Sequence, residues 1–560
     1  MLSGMLHSVL RAFGMDGMVS VPQVQAALAD AGWQDETVLA GQAIHRRDRR
    51  CPHCRETMNL KVSEGVDATV LCLSGWKTFR HIPSRCRRHA CDIAGKRVWY
   101  NYIACAGNLH EWAWDDENRL QYFFSQASWG VSTEWLRQFT QRAAFQFVSF
   151  RTEAEVFSRL TKRAAREAQT RDETPAKAYL KMQGAWFRWR IVVRLFEYKK
   201  ANRAINLSLG LQELLREAWA WYPDHMFSER VRLLQSHGWQ ITKAVIDGNA
   251  KLARRVCARA VAEMLYCSVL DRYTVTQCSC APAFRLKVCS KHAAPVGDAF
   301  AGPPQSEVVV AHRKRSALQA FSVPEPYEVC LVLRGREDDR TAPRRWTQAG
   351  WATPGQLQEY WDKKGGDAFL PARSSEAALR ATACRTHKEA AGRSARAKAR
   401  CGWLYACTPE GYILHLKEYV VAESLSQRYF FLAELVARAP TLDQIRHDDA
   451  CHLRKFADAR ATDSDLARRL AYPRIQYITD GLHDRNHVDP WCLANCSPKV
   501  PSNAAAVAGD NSQVCEQLFA KIGRHKHSVR HMGKLTSAFF LNEMAATRND
   551  DWLESHAPRL

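Results

Sequence analysis

Gly238-Trp-Gln-Ile-Thr-Lys-Ala-Val-Ile-Asp247 decides the fold, because β-branched and apolar residues run in it straight into a carboxylate. Such a run predicts a strand that delivers Asp247 to its end. Downstream, Arg400-Cys-Gly-Trp-Leu-Tyr-Ala-Cys407, a turn at Thr408-Pro-Glu-Gly411 and Tyr412-Ile-Leu-His-Leu-Lys-Glu-Tyr-Val-Val421 predict a β-hairpin, and a helix is expected from about Ser424 to Arg438. Leu442-Asp-Gln-Ile-Arg-His-Asp448 predicts a short strand ending in a second acid, with Asp449 beside it. The last stretch reads as mostly helical, and Gln513-Val-Cys-Glu-Gln-Leu-Phe519 carries Glu516 in that pattern.

The bulk properties narrow the class. A chain of 560 residues exceeds one ordinary core and predicts roughly two to four folding units. With 46% hydrophobic residues and 18 Trp it has material for packed cores, which argues against disorder over most of its length. A net charge of +22 points to a polyanionic partner. No apolar run is long enough to span a bilayer, and Arg11 and Asp16 interrupt the start where a signal peptide stays apolar, so nucleic acid is the expected partner. Nineteen cysteines, several in CxxC or CxxH spacing beside histidines, suit reduced thiolates on Zn²⁺ better than disulfides. Cys72, Cys105, Cys267 and Cys330 read instead as small buried hydrophobes.

Along the chain, residues 1–45 predict short helical segments, and the basic run His45 to Arg50 a linker. Residues 46–110 carry Cys51-Pro-His-Cys54 and Cys86-Arg-Arg-His89-Ala-Cys91, the layout of a small zinc ribbon. A CxxC turn supplies two of the four tetrahedral ligands without strain. Cys51, Cys54, Cys86 and His89 are the expected set, with Cys91 as substitute. Residues 111–235 predict a mainly α-helical region of possible DNA contact, in which Arg188, Arg190, Arg194, Lys199 and Lys200 give one segment either a phosphate-binding or a merely solvated face. Residues 293–380, richer in Pro, Gly and charge, read as an insertion dividing 236–292 from 381–550.

Cutting a phosphodiester by in-line attack needs an activated oxygen on one side and a stabilised leaving oxygen on the other, and two metal ions serve both. Mg²⁺ or Mn²⁺ takes oxygen ligands, so carboxylates must converge from separate elements. In an α/β ribonuclease H-like core the first acid lies on the opening strand, the second ends a later strand, and the third rides a helix crossing the sheet. The order strand, hairpin, helix, strand, helix found here has that form, with Asp247, Asp448 or Asp449, and Glu516 as the acids. Asp480 and Asp489 are nearby carboxylates read as structural.

The residues around each acid resemble a family. Asp247-Gly-Asn-Ala-Lys-Leu-Ala-Arg-Arg-Val-Cys257 is similar to the first catalytic block, Asp-x-Asn-x-x-Leu, of the Kyakuja, Dileera and Zisupton (KDZ) class of transposases. His447-Asp-Asp-Ala-Cys-His452 resembles the second block, aromatic-Asp-x-Ala-Cys, and that alignment selects Asp448 over Asp449. Val514-Cys-Glu-Gln-Leu-Phe519 resembles the third, followed by Arg530-His-Met532 and Phe539-Phe-Leu541; Cys384-Arg-Thr-His-Lys388, Gly402 and Glu423-Ser424 fall at the family's intermediate marks. The N-terminal knuckles resemble the CxC-type clusters often joined to such domains. The likeness covers roughly 50–110 and 235–550, and departs from the family in His447 for an aromatic, in Asp449 crowding the second acid, and in the insertion. It implies a nuclear DDE transposase that cuts and joins double-stranded DNA at transposon ends, acting as a homo-oligomer, with Asp247, Asp448 and Glu516 catalytic and metal-holding. The alternatives are an inactive transposase-derived, zinc-dependent DNA-binding protein and a nuclease acting on structured nucleic acid.

Two further knuckles flank the acids. Cys280, Cys289 and His292, with Cys257 or Cys278 as fourth ligand, form one expected zinc site. His483, His487, Cys492 and Cys496, at near-helical spacing, form another. Beyond Glu516, the run from Lys521 to Lys534 gathers Lys521, Arg524, Lys526, Arg530 and Lys534 where a DNA backbone has to lie.

Overall fold

In the computed structural model the described residues are 56–86 and 121–168 (apart from 74 and 127), 175–199, 209–249, 401–420 and 424–556, with parts of 43–54, 97–112, 204–205 and 252–289, then 369–370 and Cys384. The expected helical segment 1–45 and nearly all of the insertion 293–380 lie outside them. The chain divides into two units, residues 1–139 with 151–214 and residues 140–150 with 215–560.

In the first unit, alternating residues build ten short strands: β1 (Ala43–Ile44), β2 (Met58–Leu60), β3 (Val66–Cys72), β4 (Gly75–His81), β5 (Ser84–Cys86), β6 (Arg97–Val98), β7 (Tyr102–Ala104), β8 (His110–Trp112), β9 (Tyr122–Gln126) and β10 (Trp129–Ser132). They form two sheets, β1-β4-β3-β10-β9 and, with β11 (Ala204–Ile205), β11-β8-β7-β6-β5-β2. Ala68, Val70, Phe123, Phe124 and Val131 are fully buried between strands and cover. The two knuckles thus belong to a β-rich region reaching Ser132, and the expected helical stretch begins only at Thr133. Aromatic and β-branched residues such as those of 122–131 favour a half-buried sheet as readily as a helix face. The helices α1 (Thr133–Gln141), α2 (Phe150–Ala168) and α3 (Pro175–Lys199) follow. In α3, Trp186, Phe187, Ile191 and Val192 are buried. Arg188 donates to the Leu209 carbonyl at 2.8 Å, Arg194 pairs with Glu197 at 2.7 Å and Arg190 lies over Trp189. Those three arginines serve the fold; the side chains of Lys199 and Lys200 lie outside the described residues.

In the second unit, α4 (Leu211–Ala218, entered from the first) and α5 (Tyr222–Ser236) lead to β12 (Lys243–Asn249), then β13 (Ala262–Cys267), β14 (Arg272–Gln277), β15 (Phe369–Leu370), β16 (Cys401–Cys407), β17 (Ile413–Val420), α6 (Leu425–Arg438), β18 (Gln444–His447), α7 (Ala450–Asp458), α8 (Asp465–Leu470), β19 (Gln476–Thr479), α9 (Pro490–Asn495), α10 (Pro501–Val507), α11 (Val514–Ile522), α12 (Lys526–Val529) and α13 (Lys534–His556). The central sheet has the order β17-β16-β12-β18-β19. β12, β16 and β17 are antiparallel, whereas β12, β18 and β19 are parallel. All seven residues of β16 are buried, as expected of a strand covered on both faces. The hairpin expected at 400–421 is β16–β17. Its turn needs Gly411 at φ 104°, a backbone state that L side chains rarely adopt. At Gly402 a Cβ would stand 2.2 Å from the Tyr419 ring, so only glycine admits that ring. β15, the one described part of the insertion, pairs with β14.

The core joins α5, α6, the sheet and the end of α13. α13 is held by Tyr222 Oη donating to Glu543 Oε1 at 2.8 Å and Trp552 Nε1 donating to the Glu410 carbonyl at 3.0 Å. His415 lies between Phe227 and Phe431, with ring centroids at 4.2 and 4.6 Å, and contacts Glu434 at 3.2 Å. Burial, against the opposing pull of Glu434, drives the His415 imidazole down to about 4. Although burial alone would raise it, Glu434 is held down at about 2 by Lys417 and His415. Both groups bind fewer protons folded than unfolded, so their stabilisation is present above the unfolded values and lost as pH falls through the folded ones. Urea midpoints measured from pH 7 to 4 are expected to fall by an amount equivalent to about 3 kcal/mol from His415. His415→Phe should remove that component while leaving the further loss toward pH 2.

Candidate active site

Register brings the acids together. Val245 pairs with Arg446, and Arg446 with Ile478, across β12, β18 and β19. Asp247, Asp448 and Asp480 each stand two residues beyond that row. Glu516, in the first turn of α11, completes a cavity lined by Val245, Asp247, His447, Asp448, Asp480, His483, Ser512, Cys515 and Glu516. α11 is fixed to the central strand by the Cys515 thiol, which donates to the Val245 carbonyl at 3.2 Å, and by Phe519 edge-on to Tyr405 at 5.3 Å. The loop before it is latched by Asp510, which accepts from Arg446 at 2.6 Å and Lys243 at 3.0 Å.

The Asp247 and Asp448 carboxylates and the His447 ring lie within 4.8 Å of one another. Gly248 N–H donates to Asp247 Oδ1 at 2.7 Å. Arg428 can only donate, so at 2.6 Å it makes His447 Nε2 the acceptor, and the proton sits on Nδ1, 3.0 Å from the Ile246 carbonyl and 3.0 Å from Asp448 Oδ1. With both ring nitrogens of His447 so engaged, the Asp247 and Asp448 carboxylates are the members of this group that could face an ion. Asp449 is fully buried against Arg428 at 2.9 Å. Burial would raise its carboxyl, yet Arg428 holds it below the usual range, as a structural ion pair does.

The second group within 4.8 Å is Asp480, His483 and Glu516. Asp480 Oδ2 meets His483 Nδ1 at 2.8 Å, and His483 Nε2 faces Glu516 at 3.8 Å. The hydrogen bond that His483 donates to Asp480 raises the His483 pKa despite burial, with Asp448 and Glu516 adding to it. Burial pushes Asp480 up, but bonds from His483, Ser512 and the Leu482 N–H bring it below the carboxylate range. Asp480, read from sequence as structural, lines the cavity. Asp489 does not: it caps α9, accepting from Trp491 N at 2.9 Å.

This corrects the expected knuckle at 483–496. A 3₁₀ turn at Asp484–Asn486 ends at His487 in extended backbone with ψ 119°, so the helical spacing of His483 and His487 does not hold and the two rings diverge. His483 belongs to the acids. Cys384 and Cys451 instead join His487 and Cys492, all four buried, with Cys496 packed against them. In the N-terminal cluster Cys51, Cys54 and Cys86 come within 4.8 Å of one another, closed by Cys51 N–H donating to the Glu56 carbonyl at 2.7 Å; His89 and Cys91 lie outside the described residues. Cys257 packs with Cys289 and Cys280, and Cys289 N–H donates to Cys257 Sγ at 3.4 Å; Cys278 and His292 lie outside the described residues.

In the basic run, Lys521, Arg524, Lys526 and Arg530 are exposed, whereas Lys534 is half-buried and donates to Ser279 Oγ at 3.0 Å. His525 adds no charge: burial among Phe147 and Phe540 drives it down to about 3. No described helix is long and apolar enough to cross a membrane. Comparison with family models, curated proteins and solved structures returns no match.

Asp480→Asn is expected to lower the His483 pKa, since the largest contribution raising it is lost while those of Asp448 and Glu516 remain. An NMR pH titration of the His483 ring checks this; an unmoved titration would show that the contact with Asp480 does not govern its protonation.

Proposed function

We propose that the chain is a DDE-type transposase with a ribonuclease H-like core, using Asp247, Asp448 and Glu516 to cut and join double-stranded DNA with Mg²⁺ or Mn²⁺. The observation that carries this reading is that these three carboxylates, from a central strand, a parallel strand end and a crossing helix, line one cavity. The strand order, with three antiparallel strands continued by two parallel ones, supports the fold assignment. The likeness to KDZ blocks around each acid supports the transposase assignment, and with it nuclear DNA as substrate and a homo-oligomer as the working form.

The donor set fits a hard divalent ion: four carboxylates converge, and the ring nitrogens of His447 are engaged by Arg428 and the Ile246 carbonyl. When bound, such ions activate the attacking oxygen and stabilise the leaving one. The protein's own groups do the rest. Gly248 N–H orients the Asp247 carboxylate, His487 holds the Asp448 main chain, Asp480 fixes His483, and exposed Lys521, Arg524, Lys526 and Arg530 offer charge to a DNA backbone beyond α11. The alternative, a DNA-binding protein without turnover, draws on His483, which stands between Asp480 and Glu516 with its pKa raised by them.

Nicking of duplex DNA bearing the terminal sequences that flank the coding region, assayed with Mg²⁺ and Mn²⁺, separates the two. Asp247→Asn, Asp448→Asn and Glu516→Gln should each reduce it by more than about 100-fold, beyond the effect of losing an outer-sphere partner. Wild-type protein that is no more active than Asp247→Asn sinks the proposal. Replacing Lys521, Lys526 and Arg530 by Ala should flatten the slope of log affinity against log salt by about 2 to 3, as expected for three lost phosphate contacts.

A further inference from the structure

We propose that Cys384, Cys451, His487 and Cys492 form a structural Zn²⁺ site that ties three distant segments of the second unit together behind the acids. The four ligand atoms all lie within 4.8 Å of one another, and all four residues are buried. His487 Nδ1 stands 3.1 Å from Cys492 Sγ and 3.6 Å from Cys451 Sγ. Ligand atoms around a tetrahedral zinc with three sulfurs and one nitrogen are roughly 3.4 to 3.8 Å apart, so little movement is needed to close the shell.

The tautomer agrees. His487 Nε2 lies 2.8 Å from the Asp448 carbonyl, which can only accept, so Nε2 carries the proton and Nδ1 turns a lone pair toward the sulfurs. That is the arrangement of a metal-bound histidine whose outer nitrogen is fixed by a backbone carbonyl. Three thiolates on Zn²⁺ leave a net charge of about −1. Arg454 lies close by, over the Trp491 ring that packs on the cluster, and donates to the Asn495 carbonyl at 3.3 Å. Cys496 contributes its thiol as a hydrogen-bonding neighbour of Cys492 and stays outside the shell. The consequence reaches the acids, because Asp448 has its carbonyl on His487 and lies three residues before Cys451. The metal site itself does not depend on the catalytic reading.

The test is the zinc content of the purified full chain, read by elemental analysis after dialysis against a weak chelator. Cys451→Ser and Cys492→Ser should each lose one equivalent relative to wild type, Cys496→Ser should lose none, and His487→Cys, which replaces the one nitrogen ligand by a fourth sulfur, should keep it. With Co²⁺ in place of zinc, His487→Cys should strengthen the thiolate charge-transfer band. If the serine variants are insoluble, the metal content of His487→Cys and Cys496→Ser still decides. Loss of one equivalent in Cys496→Ser, an unchanged count in the soluble serine variants, or a Cys451–Cys492 disulfide in the native chain would overturn the site.

Discussion

Repulsion among carboxylates is the constraint on which the second unit depends. Asp247 and Asp448 come within 4.8 Å, and Asp480 and Glu516 lie as close to each other. Two unit charges at that distance repel by about 3 kcal/mol at an effective dielectric near 20. A cluster of this kind persists only if its backbone is held by forces that do not pass through the carboxylates. The parallel register of β12, β18 and β19 supplies them, since the main-chain ladder sets the level of three acids whatever their charge.

The remaining supports counter the same repulsion from outside. Arg446 and Lys243 meet on Asp510 and so fix the loop ahead of Glu516 with cations drawn from β18 and β12. Arg428 takes up Asp449 and one nitrogen of His447, which removes a further carboxylate from the cavity. His483 stands inside the group, and its pKa is raised first by the hydrogen bond to Asp480 and further by Asp448 and Glu516, so the acids favour a proton there. A divalent ion would enter a field already shaped for positive charge, and in doing so would compete with that proton.

What could be read from the sequence follows how local each feature is. Asp247, Asp448 and Glu516 were legible because apolar runs or a helical pattern lead into them within ten residues. Asp480 follows Ile475-Gln-Tyr-Ile-Thr479, a run of the same kind, but a four-residue strand was too short to stand out among so many acids. The hairpin was legible from its turn. Of the β-rich region, the part up to 110 was legible as a small ribbon from its knuckles, whereas β9 and β10 were not, since they are only five and four residues long and β10 pairs with β3 out of sequence order. The knuckle at 483–496 was misjudged for a physical reason: an i, i+4 spacing carries meaning only if the helix continues, and the backbone turns extended at His487. Cys384 and Cys451 lie too far along the chain from His487 for any spacing rule to join them.

Asp448 shows how the two kinds of support meet. Before it, β18 is paired on both sides and His447 is clamped by Arg428 and the Ile246 carbonyl. After it, α7 begins within two residues, Asp449 is buried on the same Arg428, and Cys451 enters the cysteine cluster. The carbonyl of Asp448 itself is taken by His487. With its neighbours held on both flanks and its main chain bonded, Asp448 has its place set by the backbone, and its carboxylate lines the cavity. Asp449, fully buried against Arg428, does not line that cavity, and this difference in surroundings separates the two adjacent acids.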